Sequence, residues 1–564
     1  NWQVRLVPLQ ERLVGDVRGS LVLLLGAVGL VLLIGCVNVA NLLLARAGAR
    51  QREMAMREAL GAARWRLARQ LLTESVMLSL AGGAAGLAVL IAMKDALLRL
   101  VPDRMPHLNV IAINWTVLLF AFSASIATGV LFGLAPALNL DRLDLTGTLR
   151  QSGRGTAGRA QARARRLLVI AEFALSLTLM VAAGLLLRSF RDLVSVRLGY
   201  DASTVVTVRT RLPYPNDPTL DRYATPAGET PFLRELLRRA RALPGVEEAA
   251  IGDSTAIPLN QNRVPEGLFF FTLENGGDGA KANTVQQSTV TPEYFHLLGI
   301  PALRGRTFTE LDAASGGESP RVAVVNDAFA RAYWPGEDAV GRRFRNTRPG
   351  SPWITVVGVI GGTRTQSLAA FDAPQVYFDV YQDPSHHLAI FLRGHIDRAS
   401  IGEAMRREIQ ALDDRLPVFD AQPLGDTVSA SVAERRFSRA RVGLFALTAL
   451  MLAALGIYGV IAYTVSERAR EIGIRIALGA DARTILQMIF GQGAALTAAG
   501  AAAGLACAFV VSHLMTGVLY GVTPTDPPTF AGVAAVLVAV ALLACYFPAR
   551  RAIRVDPLTA LRQE

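Results

Sequence analysis

The sequence predicts a polytopic α-helical membrane protein, with seven transmembrane helices and a large extracytoplasmic α/β domain between the fourth and the fifth. Three observations predict it. Of 564 residues, 51% are hydrophobic and 18% charged, whereas soluble domains carry nearer a quarter charged residues. The apolar residues are gathered into runs of membrane-spanning length. A stretch of ordinary soluble composition, residues 191–438, interrupts those runs.

The runs are Leu21–Ala45, Leu71–Leu100, Trp115–Leu138, Leu167–Phe190, Val442–Val465, Ile485–Tyr520 and Phe530–Phe547. Each reaches or approaches the roughly 20 helical residues a bilayer needs. The second and sixth are overlong, which predicts tilt or a cytoplasmic extension. Arginine sets the direction. Arg46–Gln70, Asn139–Arg166, Ser466–Thr484 and the C-terminal tail are rich in it, while Val101–Asn114 and Gly521–Thr529 are almost uncharged. Positive charge is retained on the cytoplasmic side. The Arg-rich loops and the C-terminus are therefore expected in the cytoplasm, and the N-terminus and residues 191–438 outside it.

The same pattern disposes of a rival. A net charge of +12 would suit a nucleic-acid binder. Here the arginines stand beside apolar runs, where orientation signals belong, so no nucleic-acid partner is expected. The three cysteines, Cys36, Cys507 and Cys545, all lie in apolar runs. The soluble stretch thus has no disulfide framework, and the three read as small core residues. The chain opens at Asn1 with no signal-peptide pattern, and reads as lacking its beginning.

The sequence repeats itself. Arg52–Ala62 (REMAMREALGA) matches Arg470–Ala480 (REIGIRIALGA), and the register continues from Gly82 and Gly86 to Gly500 and Gly504. Both copies face the same way, so their axis lies along the membrane normal. The second copy is complete, as span, outer domain and three spans. The first lacks its opening span, and residues 1–19 read as the end of its missing outer domain. The expected divisions are a first three-helix permease domain over 20–150, a cytoplasmic linker and helix over 151–190, the outer domain over 191–438, and a second three-helix domain over 439–564.

In each copy Glu53/Arg57 and Glu471/Arg475 are four residues apart, with the acid first, the favourable helical order. Gly61 and Gly479 follow where a C-cap glycine belongs. Each loop is thus a short helix at the cytoplasmic face. A solvated amphipathic helix would suffice. The recurrence at the same topological place favours a helix that docks into a cytoplasmic ATPase. The pairs Gly82/Gly86 and Gly500/Gly504 allow close helix packing. Asn38, Asn41 and Glu172 are the intramembrane polar residues, candidates for function by default. Glu172 is close enough in sequence to Arg165 and Arg166 for pairing with them, a structural role.

In the soluble stretch, strand–helix–strand patterns run over Thr204–Leu212, Pro231–Leu243 and Val246–Gly252. They recur over Leu388–Arg393, Ile401–Leu412 and Val418–Ala421. Between them Gly267–Leu273, Asn283–Val290, Arg321–Val325, Trp353–Ile360 and Gln375–Tyr381 alternate as strands. Two βαβ-type units flanking an inserted, mainly β subdomain are expected. His386, His387 and His395 read as exposed residues, and no metal site or cofactor is expected. No catalytic triad is found. Neither lysine, Lys94 or Lys281, follows a glycine, so this sequence holds no P-loop.

Several segments in fixed order carry a resemblance. Cys36–Arg46 (CVNVANLLLAR), then the repeated Arg-Glu-x-x-x-Arg-x-Ala-Leu-Gly-Ala, then Leu71–Ser75 (LLTES), resemble FtsX-like permease domains. Thr291–Phe295 (TPEYF), Val324–Asp327 (VVND), Trp334–Gly336 (WPG) and Val356–Val359 (VVGV) resemble the MacB-type periplasmic core domain. The whole looks like the duplicated orphan permeases related to MacB. That resemblance implies a bacterial inner-membrane ABC transporter permease. It would be non-catalytic and paired with a separate cytoplasmic ATPase, coupling hydrolysis to movement of periplasmic domains for export or mechanotransmission. A periplasmic adaptor or substrate protein would be a further partner. The alternatives are a scaffold regulating a periplasmic partner such as a cell-wall hydrolase, and a sensor with no ATPase.

Overall fold

The computed structural model describes residues 18–49, 64–99, 114–138, 156–196, 198–213, 221–223, 225–259, 268–274, 282–312, 320–365, 368, 373–383, 385–395, 397–467, 474–475 and 481–553. In chain order its elements are α1 (Arg18–Ala49), α2 (Arg64–Arg99), α3 (Trp115–Leu138), α4 (Thr156–Val194), β1 (Val205–Arg211), α5 (Pro226–Arg241), β2 (Val246–Asp253), β3 (Leu268–Leu273), β4 (Asn283–Val290), α6 (Tyr294–Leu297) and β5 (Ala302–Gly305). They continue as β6 (Arg321–Asn326), α7 (Asp327–Tyr333), β7 (Arg343–Asn346), β8 (Trp353–Ile360), β9 (Gln375–Asp379), β10 (His387–Gly394), α8 (Arg398–Leu412), β11 (Val418–Pro423), α9 (Leu424–Glu467), α10 (Ala482–Leu514) and α11 (Pro527–Ile553). The chain divides into a helical unit, residues 1–192 with 435–564, and an α/β unit, residues 193–434.

In the helical unit, six described helices are long and apolar enough to cross a membrane: Leu21–Asn41, Leu72–Met93, Arg163–Val194, Arg441–Val465, Arg483–Leu514 and Pro527–Arg550. Seven were expected. α3 runs 24 residues, but the apolar stretch described in it, Trp115–Val130, is shorter than a span. The sixth run, expected to reach Tyr520, forms a shorter helix. α10 ends at Leu514, and Met515 caps it by donating its N–H to the carbonyls of Val511 and Ser512 at 3.2 Å each. The apolar residues up to Tyr520 therefore lie beyond the helix.

The α/β unit is built from two subdomains. Strands run in the order β11-β1-β10-β2, each antiparallel to its neighbour. β1–α5–β2 is therefore split by β10, and β10–α8–β11 is split by β1. The two expected βαβ units interleave in the split βαβ manner. Periodicity finds the strands but not which strand lies between which. Helix starts are local and legible. The Thr225 hydroxyl caps α5 at Gly228 N–H, with Pro226 in the first turn, and the Asp397 carboxylate caps α8 at Ser400 N–H, 3.0 Å away. Gly245, at φ +83°, makes the turn from α5 into β2.

Alternate side chains on these strands bury both faces. Val206, Val208, Leu388, Ile390 and Leu392 pack under Leu233, Leu236 and Ala240 of α5 and Ile401, Met405 and Ile409 of α8. Val205, Ala389 and Phe391 pack on the opposite face with Tyr294, Phe295 and Leu297 of α6. The insert between β2 and β10 is a closed ring of strands, β3-β4-β9-β6-β8-β7 back to β3, with β4–β9 and β6–β8 parallel. Phe269, Phe271, Phe329 and Phe344 fill it, with ring centroids 5.3–5.9 Å apart for the pairs 269–344, 271–329, 271–344 and 329–344. Closure leaves fewer free edges.

Candidate functional site

α4 is the centre of the helical unit. Val169, Phe173, Leu177, Val181 and Leu185 recur every four residues and are buried against Ala453, Ile457 and Ile461 of α9, Ile485, Ile489 and Ala508 of α10, and Leu537, Ala541 and Cys545 of α11. Leu179 packs on another side against Ala27 and Ile34 of α1 and Ala449 of α9. Small residues allow this closeness. A Cβ on Gly500 would fall 2.7 Å from Phe173 Cβ, and one on Gly504 would fall 2.9 Å from Leu177 Cβ and 3.0 Å from the Cα of Ala174. Among the described residues, nothing lies within 4 Å of such an atom on Gly82 or Gly86.

A polar seam joins α1, α4 and α9. Asn38 Nδ2 donates to the Leu452 carbonyl at 3.1 Å, and Ser176 Oγ donates to the Ala449 carbonyl at 3.3 Å. One turn further along α9, a Cβ at Gly456 would overlap the Glu172 carboxyl. Glu172 is 1% exposed, and neither carboxyl oxygen is hydrogen-bonded among the described residues. The expected pairing with Arg165 or Arg166 is not what the structure has. Arg165 lies two turns away along the helix and its guanidinium sits 4.0 Å from the ring centre of Tyr463. Asn41, also buried, has no partner for either amide atom among the described residues.

Sequence reading missed Gly456 and Ser176, although a signal exists. In the register that pairs Arg52 with Arg470, Asn38 and Asn41 fall on Gly456 and Gly459. Where the first copy has an amide at Asn38, the second has a glycine, and the Glu172 carboxyl lies against it. It also missed the clamp at the far end of α4. Arg188 Nη1 lies 2.7 Å from Asp526 Oδ2, the same carboxylate accepts from Thr529 N–H at the start of α11, and Tyr520 N–H donates to Ser189 Oγ at 2.7 Å.

Of the predicted cytoplasmic helices, Glu53, Arg57, Gly61, Glu471 and Gly479 lie outside the described residues. Arg475 is exposed and donates to Met488 Sδ of α10 at 3.2 Å. In the α/β unit, His395 is exposed as expected. His386 is not, since its Nε2 lies 3.0 Å from Asp221 Oδ2 with both side chains largely covered.

Two family models match. The FtsX-like permease C-terminal model matches residues 25–144 and again 443–557, and the MacB-like periplasmic core domain matches 167–412. The chain belongs to the MacB/FtsX-type ABC transporter permeases. Among curated relatives, it is 28% identical over 60% of its length, and 50% of theirs, to a pyoverdine export ATP-binding/permease protein of Pseudomonas putida. It is 29% identical over 50% of its length, and 44% of theirs, to a macrolide export ATP-binding/permease protein of Wolinella succinogenes. An uncharacterized ABC transporter permease of Bacillus subtilis is 24% identical over 56% of this chain and 80% of that one. The chain spans about half the length of the two export relatives. As a permease of this family it is a multi-pass inner-membrane protein.

Proposed function

We propose that this permease couples a separate cytoplasmic ATPase to movement of its α/β unit outside the membrane, in export or in work done on a periplasmic partner. Seven helices span the bilayer in this reading, α3 being the seventh, with the Arg-rich loops and the C-terminus in the cytoplasm. One observation carries it. The two helices that bracket the α/β unit in the chain are α4 and α9, and α4 packs against α1, α9, α10 and α11 together. A push on the second repeat at the cytoplasmic face therefore reaches α4, and through the chain the first strand of the α/β unit. Asn38 and Ser176 donate to backbone carbonyls of α9, which suits firm packing there better than a wet path for cargo. The export relatives are named as ATP-binding/permease proteins, and the ATPase partner proposed here follows that pattern with the nucleotide site on another chain. A periplasmic adaptor or substrate protein completes the assembly.

In this reading Glu53 and Arg57, with Glu471 and Arg475, belong to the two cytoplasmic segments proposed to meet the ATPase. An exposed ion pair contributes below ~1 kcal/mol. The double reversal Glu53→Lys/Glu471→Lys is therefore expected to leave the chain folded in detergent while it abolishes co-purification of the nucleotide-binding subunit and its stimulated hydrolysis. Binding and hydrolysis unchanged by the double reversal would sink the coupling role.

A further inference from the structure

Within the α/β unit the chain returns from the closed barrel to the four-stranded sheet through residues 379–383 and 385–387, between β9 and β10. This crossing is held by carboxyl groups that have little business being buried. Asp379, at the end of β9, is 0% exposed. Its Oδ1 accepts from Tyr381 N–H at 2.9 Å and its Oδ2 has no partner among the described residues. Glu229, in the first turn of α5, is 1% exposed. Its Oε1 accepts from Ser385 N–H at 3.3 Å and its Oε2 likewise has no partner among the described residues. The crossing is fastened besides by Asp383 facing Arg321, by His386 Nε2 3.0 Å from Asp221 Oδ2, and by the Arg234 guanidinium over the Tyr381 ring. Val380 and Tyr381 lie in the core under α5 and α8, and Gln382 Nε2 donates to the Asp312 carbonyl at 2.7 Å.

The groups facing these two carboxyls are mostly negative. Around Asp379 stand Asp312, Glu310 and Glu293. Each of the three is matched, by Arg306, Arg234 and Arg241 respectively, and among the described residues no guanidinium pairs with Asp379 itself. Around Glu229 stand Asp383 and Asp221, which face Arg321 and His386. Burial first, and these neighbours after it, raise Asp379 from 3.8 to about 7 and Glu229 from 4.5 to about 8.

We propose that this crossing is a pH-sensitive joint: residues 381–383 and 385–387 are fastened while Asp379 and Glu229 are neutral, and loosen locally when both ionise, the apolar core shared by barrel and sheet staying closed. The sign follows from proton counting. The unfolded chain releases these two protons near pH ~4, the folded joint only near neutrality or above. The folded state therefore binds more protons across that interval, and stability at the joint falls as pH rises from about 4 to about 8. The ionised carboxylates would each be left buried with one oxygen unmatched, beside like charges.

The test uses the full chain in lipid nanodiscs. Amide exchange at residues 381–383 and 385–387, corrected for the intrinsic pH dependence, is followed from pH 6 to pH 9 beside the infrared band of protonated carboxyls. Protection in the wild type is expected to fall on the order of tenfold while the protonated band shrinks. Asp379→Asn/Glu229→Gln keeps the shapes and removes the charge change. It should hold protection level across the range and lack that part of the band. A wild type whose protection and band do not change would overturn the proposal, as would a variant that loses protection with the wild-type pH profile. Should the variant misfold, seen as loss of the aromatic near-ultraviolet signal of the barrel, the two wild-type measurements decide alone.

Discussion

In the second repeat, Gly500 and Gly504 are covered by α4; in the first, Gly82 and Gly86 face open space among the described residues. The sequence motif is the same, and so is its register. A small-xxx-small pair states that a helix can approach closely. What approaches is decided by the chain's order, since α4 directly precedes the α/β unit of the second copy. A second contrast runs along α1 and α9. Asn38 and Asn41 in the first copy stand where Gly456 and Gly459 stand in the second, and Glu172 lies between the two helices. The copies have kept a scaffold and divided its polar and small positions between them.

The largest expected effect lies at the covered pair. Gly504→Leu would drive a side chain into Leu177 and the backbone of Ala174, and Gly500→Leu into Phe173. Backbone cannot move aside as a flexible side chain can, so overpacking at Gly504 should cost about 3 kcal/mol or more. Thermal unfolding of the purified chain in detergent measures it, and a variant as stable as the wild type would mean that α10 does not seat on α4 through these glycines.

Next in size is the seat of Glu172. Gly456→Ala places a methyl where the carboxyl lies. It should destabilise by about 1–3 kcal/mol. In a Glu172→Ala background the same change should be nearly silent. The double-mutant cycle then gives a coupling of about 1–3 kcal/mol. Additive effects would show that the two residues are not in contact, and the contrast between Asn38 and Gly456 would lose its meaning.

These sites mark the limit of what the sequence made legible. The strands and helices of the α/β unit show themselves because alternation and caps are local: Asn283–Val290 and Trp353–Ile360 are found at their observed ends. The interleaving of β1 with β10 and β11 does not show, because strand order is a non-local choice. Arg188 and Asp526 escape for the same reason, being far apart in the chain and meeting only after α4 and α11 have packed. His386 was read as exposed because no carboxylate or cysteine cluster stands near it in the sequence. Asp221, itself unremarkable in sequence, draws it inward. Glu172 was visible as an intramembrane acid, but its neighbour was misread, since arginines on its own helix are nearer in sequence than a glycine on α9.

The smallest expected effect sharpens the comparison most. Gly82→Leu and Gly86→Leu place a Cβ where, among the described residues, nothing stands within 4 Å. They also replace a poor helix former with a good one, a change of up to about 1 kcal/mol in favour of the helix in water. α2 touches α3 instead through Gly83, where a Cβ would come within 2.5 Å of Ser125 Oγ, and across Gly129, 3.0 Å from the Val76 Cα. A Cβ at Gly82 or Gly86 does not reach that contact among the described residues. Thermal unfolding in detergent should therefore find Gly82→Leu and Gly86→Leu within ~1 kcal/mol of the wild type, under the conditions that expose the loss in Gly504→Leu. A fall as deep as that of Gly504→Leu would mean that the α2 glycines carry a helix of their own in the purified protein. The repeats would then match in packing as they do in sequence, and the asymmetry that places α4 at the centre of this mechanism would have to be given up.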